Sequence, residues 1–292
     1  MVELRQAAAD DYRLGHGGDT LNTAIHMARS GCDVAFASAL GSDSFSDRLR
    51  ATWAAEGLDC STLLTDPKRA AGLYAISLDV AGERSFAYWR SDSAARQFFA
   101  LPESAEAVDR IRRSDLLAFS LISLAILPDA GKEALLTLAA QVRQAGGQIA
   151  FDANYRAMLW DDRRTAAQWR DRAIAIATTG LPTLDDEQAL GGSTDADHVA
   201  AHWQALGCGE TVVKLGEAGC RLPDGSRLEP PARLRPVDTS GAGDAFNAGY
   251  LAARIAGMEP REAAERGHEL ASWTIMRPGA IPSRDKEAPY PD

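Results

Sequence analysis

Short apolar runs, several of them rich in β-branched residues, alternate along the chain with longer segments whose apolar positions recur every three to four residues. The first kind reads as buried strand and the second as amphipathic helix, so the alternation predicts an α/β fold with a parallel sheet covered by helices. Strands are expected over residues 34–39, 116–120, 148–152 and 211–215. Helices are expected over 20–30, 44–56, 129–145, 163–177, 196–206 and 245–256. Gly31, Gly57, Gly146, Gly207 and Gly257 fall just past these helices, where a left-handed cap favours glycine.

One region breaks the alternation. Residues 72–79 and 83–90 are two period-two runs joined by Val80-Ala-Gly82, which predicts a hairpin lying outside the helical layers. Successive strand residues face opposite ways, so Tyr74, Ile76 and Leu78 should share one face, as should Phe86, Tyr88 and Arg90. With no low-complexity segment or long linker, residues 1–292 read as one unit in which the hairpin, 70–92, is inserted.

Composition narrows the function. A chain of 292 residues, 46% hydrophobic, can bury a sizeable core, and its net charge of −10 argues against nucleic acid as a main partner. No apolar run approaches the roughly 20 residues that cross a bilayer, and the start lacks a basic-then-apolar leader, so a cytoplasmic protein without a membrane partner is expected. Cys32, Cys60, Cys208 and Cys220 form no C-x-x-C pair and read as free thiols. His198 and His202 stand four apart without an evident third ligand, which favours a solvated helix face over a metal site.

The candidate chemistry lies at glycine turns. Asp238-Thr-Ser-Gly-Ala-Gly-Asp-Ala-Phe-Asn-Ala-Gly-Tyr250 places glycines and a carboxylate where an extended segment turns into a helix. Backbone N–H groups at a helix start lack intrahelical partners, so Gly241, Ala242 and Gly243 could cradle an anion, with the Asp244 carboxylate beside it as a proton acceptor or as a cap. Gly17-Gly-Asp-Thr-Leu-Asn-Thr-Ala24 repeats that logic. Gly18, Asp19 and Asn22 line up with Gly243, Asp244 and Asn247, and Arg29 follows its Asp at the same distance as Arg254. Asp19 and Asn22 could bond ligand hydroxyls, and Asp19 could equally cap the helix. Farther along, the run 151–160 sets Asn154 and Arg156 after a strand, at the edge where open α/β sheets bind ligands. Arg156 there suggests an anion such as a carboxylate, with a surface ion pair as the plainer reading.

The complete run 238–250 resembles the C-terminal signature of the ribokinase family of sugar kinases, also called the phosphofructokinase B type. The resemblance implies a ribokinase-like three-layer α/β/α fold with a mostly parallel central sheet and a small β-lid, which the hairpin would supply. It implies ATP-dependent transfer to a sugar hydroxyl, with Asp244 as catalytic base and Gly241, Ala242 and Gly243 as anion hole. The run 17–24 looks like the family's substrate motif. Lys214, Gly216 and Gly219 in the run 213–220 resemble its nucleotide segment, with Asn154 also on the nucleotide side. Gly279-Ala280 resembles the loop that finishes the adenine side.

Within the family, Asp152-Ala-Asn-Tyr-Arg156, the strand end Tyr88-Trp-Arg90 and the run 17–24 together most resemble the 2-keto-3-deoxygluconate kinases. That implies a six-carbon keto acid phosphorylated at its terminal hydroxyl, contacted by Gly18, Asp19, Asn22, Tyr74, Tyr88, Arg90 and Arg156. A neutral ketose kinase of the same fold and a sugar-binding sensor are the alternatives. ATP and Mg2+ are the implied cofactors, with room for a monovalent cation, and an apolar lid face would favour a homodimer.

Two departures qualify the resemblance. Where the wider family has an Asn-x-x-Glu motif that helps organise Mg2+, this chain has Leu184 at the Asn position and keeps only Glu187. The family usually opens on a complete core strand carrying a Gly-Glu turn, whereas this chain starts at Met1-Val-Glu-Leu, where that strand should be finishing. The central sheet is therefore expected to lack most of its first strand.

Overall fold

The computed structural model describes residues 1–7, 11–78 and 84–291. In chain order its first half contains β1 (Val2–Gln6), β2 (Tyr12–His16), α1 (Asp19–Arg29), β3 (Ser38–Leu40), α2 (Ser44–Ala55), β4 (Leu63–Thr65), β5 (Leu73–Leu78), β6 (Arg84–Trp89), α3 (Ser104–Ile111), β7 (Leu116–Ser120), α4 (Leu121–Ile126) and α5 (Asp129–Gln144). The second half contains β8 (Gln148–Asp152), α6 (Arg163–Ile174), β9 (Thr179–Gly180), α7 (Leu184–Ala189), α8 (Ala196–Ala205), β10 (Glu210–Thr211), β11 (Val213–Lys214), β12 (Cys220–Arg221), β13 (Arg227–Leu228), α9 (Ala242–Ile255) and α10 (Pro260–Ile275).

The expected helices are all present, and several start on the capping residues their sequences offer. Asp43 accepts from the backbone of Phe45 and Ser46 at the head of α2, and Asp162 and Asp195 do the same for α6 and α8. The five glycines expected past helix ends all have positive φ.

Strands β7 to β10 form a parallel sheet in the order β10-β9-β8-β7. Their apolar runs are buried because helices cover them. Phe119 and Phe151 pair in register, and Phe151 stacks on the buried Trp203 of α8. Burying each such side chain stabilises the fold by about 1.5 to 3 kcal/mol. A second cluster lies between α9, α10 and β12, where Gly249 and Gly267 let the two helices touch. A Cβ at Gly249 would fall 2.7 Å from the Arg266 carbonyl oxygen. A third joins α1 and α2 to β1 and β3 through Ile25, Trp53, Val2 and Leu40.

The extended run 211–215 serves two sheets. Val212 N–H bonds the Gly180 carbonyl, after which Val213 pairs with Arg221 in the antiparallel β11-β12-β13 sheet.

The start of the chain corrects the expectation. Val2–Gln6 is not the end of a core strand; it pairs antiparallel with β2 and parallel with β5 in a separate outer sheet, β2-β1-β5-β6. The hairpin is present with Tyr74 opposite Tyr88 and Ile76 opposite Phe86, and its turn lies outside the described residues. Strands β3 and β4 pair only with each other, so among the described residues β3 and β7 are edges of different parallel sheets.

The C-terminal segment folds back over α1. His26, fully buried, bonds the Tyr290 hydroxyl through Nδ1 at 2.6 Å and the Ala280 carbonyl through Nε2 at 2.9 Å. Burial drives the His26 pKa down to about 4. Because the folded value lies below the unfolded one of about 6.5, the contribution of this neutral imidazole is complete above pH 6.5 and is lost as pH falls toward 4. Between pH 7 and 5 the protein should lose about 2 kcal/mol more unfolding free energy than His26→Gln does. Urea unfolding at both pH values measures this, and equal losses would exclude His26 as the cause.

Candidate active site

Two helix starts that share a Gly-Asp-x-x-Asn pattern meet at the site. Helix α1 packs against α9, and Asn22, one turn into α1, donates from Nδ2 to Asp244 Oδ2 at 2.7 Å. Thr23 donates its hydroxyl to the Asp244 carbonyl at 3.2 Å, and Gly18 N–H donates to Asn22 Oδ1 at 3.3 Å. At the C-terminal end of β7, the Ser120 hydroxyl donates to the Asp19 carboxylate. At the end of β8, Asp152 Oδ2 accepts from Lys214 Nζ at 3.0 Å and from Asn247 Nδ2 at 2.6 Å, while Lys214 also donates to Asn247 Oδ1. The parallel strands thus deliver Ser120 and Asp152 to one edge, where the two helices deliver Asp19 and Asp244.

The electrostatics follow from this crowding. Burial, then the nearby Asp19 charge, push Asp244 up to about 7, against the bond from Asn22 and the charge of Lys214. Asp19 is raised by burial, which the Ser120 bond only partly offsets. Asp186, on α7, is raised to about 6 by burial, with Asp152 adding to the shift and Arg156 opposing it. A carboxylate that titrates near neutrality beside a helix start suits proton acceptance.

The glycine turn before α9 has the shape of an anion cradle. Gly241 is left-handed at φ 72°, and no side chain caps the helix it precedes. A Cβ at Gly241 would lie 2.5 Å from the Ala280 Cβ, so the loop 279–280 packs directly on the turn. Lys214 Nζ stands 3.6 Å from where a Gly243 Cβ would be, which adds a positive charge to the positive end of the helix. Gly216 and Gly219 lie in the turn between β11 and β12, and Ala242 occupies the first position of α9. Backbone N–H groups, an ammonium and a carboxylate thus converge where an anionic group could sit beside a hydroxyl.

The outer sheet faces this edge. The Tyr74 hydroxyl sits against Gly17, where a Cβ would fall 2.4 Å away, and donates to Glu3. Tyr74 stacks near Tyr88, and the Arg90 guanidinium lies 4.2 Å over the Tyr88 ring. The charges of Asp19 and Arg156 both act on Arg90. Arg156 donates to the Tyr155 carbonyl at 2.7 Å and to Asp186 at 3.4 Å, with half its side chain exposed. Asn154 backbone N–H bonds Asp152.

Glu187 lies in a buried charged pair. Its carboxylate is buried, accepting from Arg170 at 2.6 Å and from the Trp203 indole at 3.1 Å. It thereby holds α7 against α6 and α8. Two residues at the centre of the arrangement, Asp152 and Asn247, stand in the sequence motifs but carry no site role there. Their signals were present: Asp152 ends a strand at the ligand edge, and Asn247 stands in the second motif where Asn22 stands in the first.

With this geometry in hand, the comparisons with known proteins agree. The model for the pfkB family of carbohydrate kinases matches residues 3–287. A 2-dehydro-3-deoxygluconokinase of Dickeya dadantii is 40% identical over 291 residues, covering 96% of this chain and 94% of its own. One from Escherichia coli K12 is 39% identical over 295 residues, covering 98% and 95%. The structure of aminoimidazole riboside kinase from Salmonella enterica, complexed with aminoimidazole riboside and an ATP analogue, superposes with a TM-score of 0.84 at 26% identity, covering 99% of this chain and 94% of that one. The expected ribokinase-like α/β fold is borne out by that likeness.

If the Asp19 charge helps raise Asp244, Asp19→Asn must lower the Asp244 titration midpoint from near 7. Carboxyl-carbon NMR across pH 4 to 9 reads this directly, and an unmoved midpoint would assign the shift to burial and the Asp152 charge.

Proposed function

The chain belongs to the pfkB family of carbohydrate kinases, and from that premise we propose that it transfers the γ-phosphoryl group of ATP to the terminal hydroxyl of 2-dehydro-3-deoxygluconate. The observation that carries the reading is the placement of Asp244, titrating near 7, at the uncapped start of α9 beside Lys214. Phosphoryl transfer is largely positioning and charge stabilisation, and this turn offers both.

In the proposed mechanism the backbone of Gly241, Ala242 and Gly243 holds the phosphate that moves, and Lys214, fixed by Asp152 and Asn247, adds its charge. Asp244 takes the proton of the attacking hydroxyl, oriented by Asn22. The turn at Gly18, with Asp19, grips the sugar from the α1 side. Tyr74 and Tyr88 wall it from the outer sheet, which acts as a lid that excludes water. Arg90 and Arg156 recognise the carboxylate of the sugar acid, a neutral ketose having no need of them. Asn154, Gly216 and Gly219 line the nucleotide side.

Mg2+, when bound, neutralises charge on the phosphates. Among the described residues no group of three or more acidic, His or Cys side chains is arranged to hold a metal, which suits an ion carried mainly by the nucleotide. The exposed Tyr12 and Trp89, on the face of the outer sheet turned away from Tyr74 and Tyr88, support a homodimer formed through the lid, and the cofactor set leaves room for a monovalent cation.

Asp244→Asn should reduce kcat by a factor of about 100 to 10,000 while sugar-acid binding by calorimetry stays within about threefold. Turnover near that of the unaltered protein in a coupled ADP-release assay would sink the base assignment. Replacing Arg90 and Arg156 together by Ala should raise KM for the keto acid by about 10- to 100-fold per arginine and leave phosphorylation of a neutral ketose untouched. The opposite selectivity would identify a ketose kinase, and no ADP with any sugar would point to a sensor.

A further inference from the structure

The outer sheet and the anion cradle are joined by a continuous run of charged hydrogen bonds that the mechanism above does not use. It starts at Tyr74, whose hydroxyl lies against the Gly17 turn and donates to Glu3 Oε2 on the neighbouring strand, in register with it. Glu3 Oε1 accepts from Arg5 Nε at 3.3 Å. Arg5 in turn leaves the outer sheet and donates from NH1 to Asp238 Oδ2 at 3.1 Å. Asp238 is buried at the head of the signature run, and its two oxygens fix both walls of the cradle. Oδ1 accepts from Ser240 N–H and Oδ2 from Gly279 N–H, each at 2.9 Å. Ser240 precedes the left-handed Gly241, and Gly279 precedes the Ala280 that packs on it.

We propose that Arg5 is a positioning residue that couples sugar binding at the outer sheet to the shape of the phosphate cradle, so that sugar acid and nucleotide each tighten the binding of the other. The proposal rests on the kinase reading given above. Its physical basis is that Arg5 is a planar fork shared between two carboxylates on different elements, so a shift of the outer sheet moves Asp238 or breaks its pairing. Asp238 cannot be left without that partner cheaply, because its carboxylate is out of water. A sugar that sets Tyr74 and β1 in place therefore sets Ser240 and Gly279, and by linkage a nucleotide in the cradle sets the sheet.

The test is the coupling factor, the ratio of dissociation constants for a non-hydrolysable ATP analogue without and with saturating 2-dehydro-3-deoxygluconate, measured by calorimetry on the full chain with Mg2+. The unaltered protein should give a factor of about 5 to 150, with the same factor when the ligands are added in reverse order. Glu3→Gln, or Glu3→Ala if that variant does not fold, cuts the link to Tyr74 while leaving Arg5 on Asp238, and should bring the factor to within about twofold of one while each ligand alone binds within about threefold of its original affinity. A merely structural Arg5 would instead weaken both single affinities and leave the factor intact, which overturns the proposal. So does a factor of one in the unaltered protein. If neither ligand binds the unaltered protein, the kinase reading fails and takes the coupling with it.

Discussion

The hydrogen bond from Asn22 to Asp244 spans 222 positions of sequence, and most of the site depends on its being possible. It requires the first turns of α1 and α9 to lie side by side, which brings Asp19 and Asp244 into one poorly hydrated space. Two carboxylates in such a space resist joint ionisation, so each needs donors at fixed positions. Ser120 supplies one for Asp19, and Asn22 one for Asp244. A third carboxylate, Asp152, brings its own cation in Lys214 and an amide in Asn247. The edge formed by β7 and β8 is thus where the sheet presents a hydroxyl and an acid to two helix starts, and any change in how α1 and α9 pack alters the titration of Asp244.

The same pairing explains the parallel between the two motifs. The arginines that follow each Asp at equal distance have equivalent fates: Arg29 forms a fork with Glu56, and Arg254 forms one with Glu210. Each guanidinium also caps a carbonyl, that of Pro282 for Arg29 and that of Met258 for Arg254. Both helices are held at their far ends by charged, bidentate contacts, while their near ends carry glycine and acid. A glycine turn opening a helix accounts for the shared beginning, and the need to fix a helix whose start must stay open for ligand accounts for the shared end.

What could be read in the sequence was what is local. Helix ends marked by Asp43, Asp162 and Asp195, and apolar runs such as 116–120 and 148–152, declare themselves over a few residues. The cradle at Gly241 was legible for the same reason. Partner choice was not. Val2–Gln6 alternates like many strands, and only pairing with Leu73–Ile76 places it in the outer sheet rather than the core. The run 211–215 reads as one strand because periodicity cannot show that Lys214 is shared, its N–H bonding the Pro182 carbonyl beyond β9 while it pairs with Cys220 of β12. Glu187 shows the same limit: an acid at a helix start fits a ligand or a salt bridge equally, and the arrival of Arg170 from α6 is not visible in the sequence. Asp152 and Asn247 lie 95 residues apart, so neither indicates the other until the sheet is folded.

The two Gly-Asp carboxylates have similar settings but different donors, and the difference bears on how each can carry a proton. The Asn22 side-chain nitrogen only donates, so it stays bonded to Asp244 Oδ2 only while that oxygen carries no proton. A proton taken up by Asp244 is therefore favoured on Oδ1, the oxygen that Asn22 does not engage. Ser120 is a hydroxyl, able to donate to an ionised Asp19 or accept from a protonated one. Asp19 keeps its partner in either state, and so can change its charge without moving. In the proposed mechanism one motif would hold the proton acceptor and the other an acid that keeps its partner in both charge states, as two carboxylates sharing a crowded site require if only one of them is to act as base.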